Sequence, residues 1–301
     1  MKQQLTLEAK QAIQQELQKY VSRYSSQNKA ANSLKGVSLG TINTVLNGKF
    51  ENISDEMFAR IATQISTPSE DGWQLCATGA YKDMETFLSD AQEYRNVSWI
   101  VGPAGIGKTT SANHYASHHR NVFVLPCSED MHKADFVEEL AARIGIRTEG
   151  LTVRSSLQAI IREIVRIERP LLVFDEADKL TDSVLYYFIT IYNALEDKCG
   201  IVLLSTPYIQ RRIAHGLRRN KKGYEELYSR ICRRFVHLTE ISEYEVNVIC
   251  RQNGLTDERA ISRVIKDSSD TGRDSRTEFD IRRVKKSVHT QLRIAYSSNN
   301  I

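Results

Sequence analysis

The chain lacks several features that would define a class at once. No apolar run approaches the ~18 residues needed to cross a bilayer. The opening MKQQLTLEAK has no hydrophobic stretch of the kind that heads a secretory signal. Both absences predict a cytoplasmic protein with no membrane partner. The five cysteines, Cys76, Cys127, Cys199, Cys232 and Cys250, are odd in number, widely spaced and without any C-x-x-C pair. That pattern argues against a disulfide framework and against a zinc site. The histidines, His114, His118, His119, His132, His215, His237 and His289, form no metal-spaced cluster, and His118-His119 read as cover for a helix end. No serine stands in a G-x-S-x-G elbow, and no acid triad suggests a two-metal nuclease. Neither sign of charge dominates: 41 Lys and Arg against 37 Asp and Glu leave +4. Only the distribution of charge can therefore point to a polyanionic partner. There is no internal repeat or low-complexity segment.

What is present is an ordinary globular composition, 41% hydrophobic and 26% charged over 301 residues, enough for two or three domains with a real core. One stretch organises it. From Val97 an apolar run, VSWIV, breaks into Gly102-Pro103-Ala104-Gly105-Ile106-Gly107 and then Lys108-Thr109-Thr110. This is the spacing G-x-x-x-x-G-K-[ST], a strand followed by a phosphate loop and a helix start. Its backbone N–H groups cradle phosphates, Lys108 reaches the β/γ oxygens, and the Thr109 hydroxyl ligates Mg²⁺. The glycines let the backbone turn back on itself and approach an anion closely. Residues Gly102 to Thr110 are thus the candidate nucleotide-binding set.

On the N-terminal side, Ala9, Ile13, Leu17, Tyr20, Val21 and Tyr24 recur at helical spacing. KAANSL then suggests a short helix, Lys35-Gly36-Val37 a turn, and Ser38 the N-cap of a second helix closed by Asn47-Gly48. A further helix follows Ser54, carrying Met57, Phe58, Ile61 and Ile65. This arrangement resembles phage repressor-type helix-turn-helix domains, whose second helix enters the major groove. The resemblance implies DNA contacts from Thr41, Asn43 and Lys49. With no arginine in the presumed recognition helix before Lys49 to read guanine, weak sequence preference is expected. Residues 66–73 are turn-rich and read as a linker. Beyond it a helix carrying Met84, Phe87, Leu88 and Ala91 precedes strands at Val122–Leu125, Leu171–Phe174 and Ile201–Leu204, which alternate with helical stretches at 131–144, 154–168 and 182–197. Such alternation implies a parallel sheet covered by helices. From Glu243 onward the periodicity is helical only, at 243–253, 257–266 and 279–295, which predicts a separate helical lid. The expected division is 1–66 helical bundle, 67–80 linker, 81–240 core and 241–301 lid.

A second acidic motif completes the first. Pro170-Leu171-Leu172-Val173-Phe174-Asp175-Glu176 is a buried-strand run ending in two carboxylates. Asp175 is suited to hold Mg²⁺, and Glu176 to orient and deprotonate the water attacking the γ-phosphate. The order of phosphate loop, LLVFDEAD, IVLLST, a basic stretch with YSRICRRF and a helical C-terminal segment resembles the AAA+ ATPases. With the N-terminal helical domain added, it is most similar to the phage Mu transposition protein B and TnsC-like transposition regulators. Only the ATP motifs in it are specific. The resemblance implies an α/β P-loop core with a helix-turn-helix bundle and a C-terminal lid, and ATP and Mg²⁺ as cofactors. It also implies Thr206 as sensor of the γ-phosphate, Arg230 as the arginine finger reaching a neighbouring subunit, with Arg233 and Arg234 as rivals, and Arg282 as the second sensor. Thr206 departs from the asparagine common at its position, and Phe279 stands where a glycine often precedes the second sensor.

Between Arg211 and Arg234 nine Lys or Arg face only Glu225 and Glu226. Clustered cations release counterions from a phosphate backbone, which gives affinity without sequence information. Arg218, Arg219, Lys221 and Lys222 are the candidate DNA contacts there. Arg282, Arg283, Lys285, Lys286 and Arg293 form a second cluster. The combined expectation is an ATPase that assembles on double-stranded DNA as an oligomer or helical filament, recruits a partner transposase, and works in a bacterial cell or phage-infected host. A helicase loader or replication-initiation ATPase, and a nucleotide-switched transcription regulator, are the alternatives.

Overall fold

Five short apolar strands, β1 (Val97–Val101), β2 (Val122–Pro126), β3 (Leu171–Asp175), β4 (Gly200–Ser205) and β5 (Val236–His237), form a parallel sheet in the order β2-β3-β4-β1-β5. The computed structural model describes residues 5–65, 72–231, 233–271 and 277–298. Most of the segment read as a linker, 66–71, lies outside these residues, as does Cys232.

Side chains alternate across a strand, so each strand feeds two layers. Trp99, Leu172, Phe174, Ile201 and Leu203 face α7 (Lys133–Ile144), α8 (Val153–Ile164), α9 (Asp182–Leu195), α10 (Tyr208–Arg218) and α11 (Tyr224–Arg230). Ile100, Leu171, Val173, Val202 and Leu204 face α5 (Gly79–Tyr94) and α6 (Lys108–His118). A sheet buried on both faces needs continuous apolar strands, which accounts for LLVF and IVLL being unbroken. Each large side chain so buried contributes about 1.5–3 kcal/mol before the entropy of ordering it is counted.

The lid consists of α12 (Glu243–Gln252), α13 (Glu258–Ser268) and α14 (Ile281–Ser298). Its Val246, Ile249, Val264, Val284 and Val288 belong to the same apolar cluster as α5 and Ile106, so its core is continuous with one face of the sheet. The all-helical reading of this region needs correction. Ser269–Thr271 and Thr277–Phe279 pair as short antiparallel strands, β6 and β7, with Ser269 opposite Phe279. Three-residue strands are too short to show a period of two against the helical pattern on either side.

At the other end, α1 (Leu7–Ser22), α2 (Gln27–Ser33), α3 (Leu39–Leu46) and α4 (Asp55–Ile65) close on Leu17, Ile42, Val45, Phe58 and Ile61. Thr6, Ser26 and Ser38 cap the first three helices by accepting from the N–H groups of Ala9, Lys29 and Thr41. The bundle docks through α2: Lys29 pairs with Glu163, Asn32 Nδ2 donates to the Gly145 carbonyl at 3.2 Å, and Arg147 Nε donates to Asn32 Oδ1 at 2.9 Å. Helix α3 keeps an outer face, with Leu39 and Gly40 exposed. Among the described residues no helix is long and apolar enough to cross a membrane.

Candidate functional site

The carboxyl ends of β1, β3 and β4 open into one cavity of about 260 Å³, the place where open α/β sheets bind ligands. The loop after β1 forms its floor. Gly105 and Gly107 adopt φ of +78° and +103°, and Gly107 hands the chain to α6 at Lys108. A Cβ on Gly105 would lie 2.0 Å from Asp280 Oδ1. The loop therefore also seats the lid, because the Ile281 N–H at the start of α14 donates to the Gly105 carbonyl at 3.0 Å. This brings Arg282 to the cavity wall.

Lys108 Nζ donates to the carbonyls of Gly102 and Pro103 at 2.7 and 2.9 Å. Burial lowers its pKa; Asp175, Asp178 and Glu176 oppose that shift, whereas Arg282 adds to it. Asp175 is 3% exposed, and burial raises its pKa against a hydrogen bond from Thr109. Both shifts reflect charge held in a cleft, a cost that a polyphosphate beside Lys108 and a divalent cation beside Asp175 would offset. A hydroxyl and one carboxylate suit Mg²⁺, which keeps waters and substrate phosphates as its other ligands. Among the described residues no group of three or more His, Cys, Asp or Glu is arranged to hold a metal ion.

Glu176 also lines the cavity, in the left-handed region at φ +55°, and Lys179 Nζ donates to its Oε2 at 2.7 Å. Thr206 follows β4; its Oγ1 and N–H donate to Asp178 Oδ2 at 2.5 and 3.3 Å. Lys108, Thr109, Asp175, Glu176, Thr206 and Arg282, named separately from the sequence, thus meet at one cavity.

Arg230 does not line it. At the end of α11, its guanidinium lies 5.3 Å from the Tyr192 ring centroid and 3.6 Å from Glu226. Arg218, Arg219 and Lys222 are exposed on and after α10, while Lys221 is ion-paired with Asp182. Thr41 and Asn43 are half-buried on α3, where the Thr41 hydroxyl lies 2.9 Å from that of Ser38, and Lys49 is exposed beyond it.

Several contributors to the cavity and its wall escape a reading of the sequence alone. Asp178 ends the same LLVFDEAD run without a spacing that marks it. Trp73, Gln74, Leu75 and Cys76, which read as linker or its margin, line the cavity. Asn253 clamps that segment, accepting from Gln74 N–H at 2.8 Å and donating to its carbonyl at 3.3 Å. Lys285 joins them 5.8 Å from the Trp73 ring centroid. Only the apolar tryptophan and leucine between polar turns offer a signal for this wall.

Comparison with known proteins gives a family model described as an AAA domain, matching residues 91–213. The Mu-like prophage FluMu DNA transposition protein B of Haemophilus influenzae is 22% identical over 79% of this chain and 83% of its own length. The ATP-dependent target DNA activators B of Escherichia phages Mu and D108 are each 23% identical over 66% of this chain and 64% of theirs. Among solved structures, the Orc1 protein of Aeropyrum pernix in complex with DNA gives a TM-score of 0.49 at 13% identity, covering 68% of this chain and 56% of that one.

Proposed function

We propose that this chain, which belongs to the AAA+ ATPases of the Mu transposition protein B and TnsC-like family, is a Mg²⁺-dependent regulator of DNA transposition that assembles on target DNA in its ATP-bound state. The observation that carries the reading is the convergence of phosphate loop, paired carboxylates, Thr206 and Arg282 on one cavity, in a chain whose relatives are named for transposition and target DNA activation.

The chemistry divides among its residues. Backbone N–H groups of the loop and Lys108 hold the β and γ phosphates. Mg²⁺ held by Thr109 and Asp175 would neutralise charge developing on the phosphate oxygens. Glu176 would accept the proton of the attacking water, and Thr206, set by Asp178, would contact the γ-phosphate. Arg282 brings the lid to the same phosphate, while Trp73 and Leu75 supply an apolar wall for the base. Arg230, which does not line its own cavity, is available to a neighbour's. An essential group supplied in trans makes assembly depend on the nucleotide, and head-to-tail contacts that do not close generate filaments.

Arg218, Arg219 and Lys222 supply phosphate contacts without sequence readout, and α3 with Lys49 offers a second, weakly selective surface. Hydrolysis then dismantles the assembly, and the partner transposase acts while it persists. Electron microscopy with ATP, ADP and duplex DNA tests the reading: ATP should give oligomers on DNA and ADP should not. Absence of nucleotide-dependent assembly would overturn it.

A further inference from the structure

Within the basic stretch two cations converge on one carboxylate. Arg218, Arg219 and Lys222 are exposed, whereas Arg212, its side chain 16% exposed, and Lys221 both end on Asp182. Asp182 opens α9, just beyond Asp175 and Glu176. Arg212 Nη1 donates to the carbonyls of Asp178 and Leu180 at 3.0 and 2.8 Å, and its Nη2 to Asp182 Oδ1 at 2.5 Å. Tyr224 Oη donates to the same oxygen at 2.9 Å. One guanidinium therefore holds the turn 178–182 at three points. Within that turn the Asp178 side chain accepts from Thr206 at the cavity. Bonded groups thus run from Thr206 through Asp178, Arg212 and Asp182 to Lys221, in the loop that carries Arg219 and Lys222.

A hydrogen-bonded charged set of this kind has few alternative arrangements, because freeing one member leaves its partner's charge uncompensated. A shift of the 178–182 turn, begun at Thr206, must carry Asp182 and with it Lys221. We propose that Asp182 and Arg212 are positioning residues that couple the state of the nucleotide cavity to the setting of the basic loop 219–222, so that nucleotide and DNA alter each other's affinity. This rests on the reading of the cavity as an ATP site and of the loop as a DNA contact. Such coupling is reciprocal and falls typically at ~5- to 150-fold.

The test measures dissociation constants of the full-length chain for a fluorescent DNA duplex with a non-hydrolysable ATP analogue and with ADP. The wild type should bind at least about fivefold tighter with the analogue. In Asp182→Asn and Arg212→Lys the ratio should fall towards one, while affinity for the analogue without DNA stays within about twofold of the wild type. Lys221→Gln removes the loop end of the chain at a half-exposed residue, where folding is not at risk. Collapse of the ratio there supports the coupling; equal weakening in both nucleotide states means Lys221 merely touches DNA and overturns it. A wild-type ratio retained in Asp182→Asn overturns it as well. Measurable wild-type binding that is equal in both states removes the coupling and leaves the DNA reading intact, whereas no binding in either state removes the DNA reading itself.

Discussion

Thr206 donates its hydroxyl to Asp178 at 2.5 Å, so the polar group at the end of β4 is oriented by a carboxylate from the turn after β3. A threonine in place of the more usual asparagine needs such a partner, because its single hydroxyl can rotate. Thr206→Ala and Asp178→Asn should each leave nucleotide affinity nearly unchanged and slow hydrolysis by up to roughly 10²- to 10³-fold, the cost typical of removing one oriented donor aimed at developing negative charge. Single-turnover hydrolysis beside equilibrium binding separates the two effects. A parallel loss of affinity would mean that Thr206 holds the ground state.

The two halves of the phosphate site should fail in opposite ways. Lys108→Ala removes the half-buried cation proposed to meet the β/γ oxygens, so nucleotide binding and assembly should both disappear. Glu176→Gln keeps the shape and loses the proposed base. It should bind ATP, hydrolyse it at least ~10²-fold more slowly, and prolong the assembled state on DNA. Light scattering after ATP addition follows both variants, and identical traces would contradict hydrolysis as the timer of disassembly.

Charge reversal at Arg218, Arg219 and Lys222 should weaken duplex binding and reduce the slope of log K against log salt by roughly 2–3, close to 0.9 for each phosphate no longer neutralised. ATP affinity should change little, since none of the three lines the cavity. An unchanged slope would move DNA to another face.

The catalytic core is legible in the sequence because its signals are local. A phosphate loop must follow its strand directly, and a buried strand must stay apolar until the carboxylate at its end, so both motifs announce their own secondary structure. The relationships between motifs are not legible. Nothing in the local sequence tells that Lys221, read as a DNA contact, spends its charge on Asp182, or that Arg212 holds the turn after β3. Those pairings join residues distant in sequence. The cavity wall at Trp73–Cys76 is hidden for a related reason: a segment without periodicity looks like a linker until its place against the lid and Asn253 is known.

Gly216 on α10 allows a close approach that should resist the smallest enlargement. A Cβ there would lie 2.3 Å from the Tyr224 ring, and Tyr224 is 2% exposed with its hydroxyl bonded to Asp182, so the ring cannot swing aside. Helix propensity favours alanine over glycine by about 1 kcal/mol, while overpacking costs typically ~1–3 kcal/mol. With the ring held in place the clash should win, and Gly216→Ala should lose up to about 2 kcal/mol in urea denaturation. A stabilised variant would show that α10 and α11 can separate freely.

Asp182 should also leave a signature in acid. Burial pushes its carboxyl pKa up, but hydrogen bonds from Arg212, Lys221 and Tyr224 outweigh this and hold it at about 2, against ~3.9 for an unfolded aspartate. A carboxylate with a depressed folded pKa contributes stability that is fully present above the unfolded value and is lost as pH falls through the folded one. The difference in urea midpoint between wild type and Asp182→Asn should therefore be constant from about pH 5 to 8 and narrow between about pH 4 and 2. Protonating the native carboxyl leaves Arg212 and Lys221 facing a neutral group, as the amide does. A gap that persists unchanged at about pH 2 would place the stabilisation in the shape of the side chain and not in its charge.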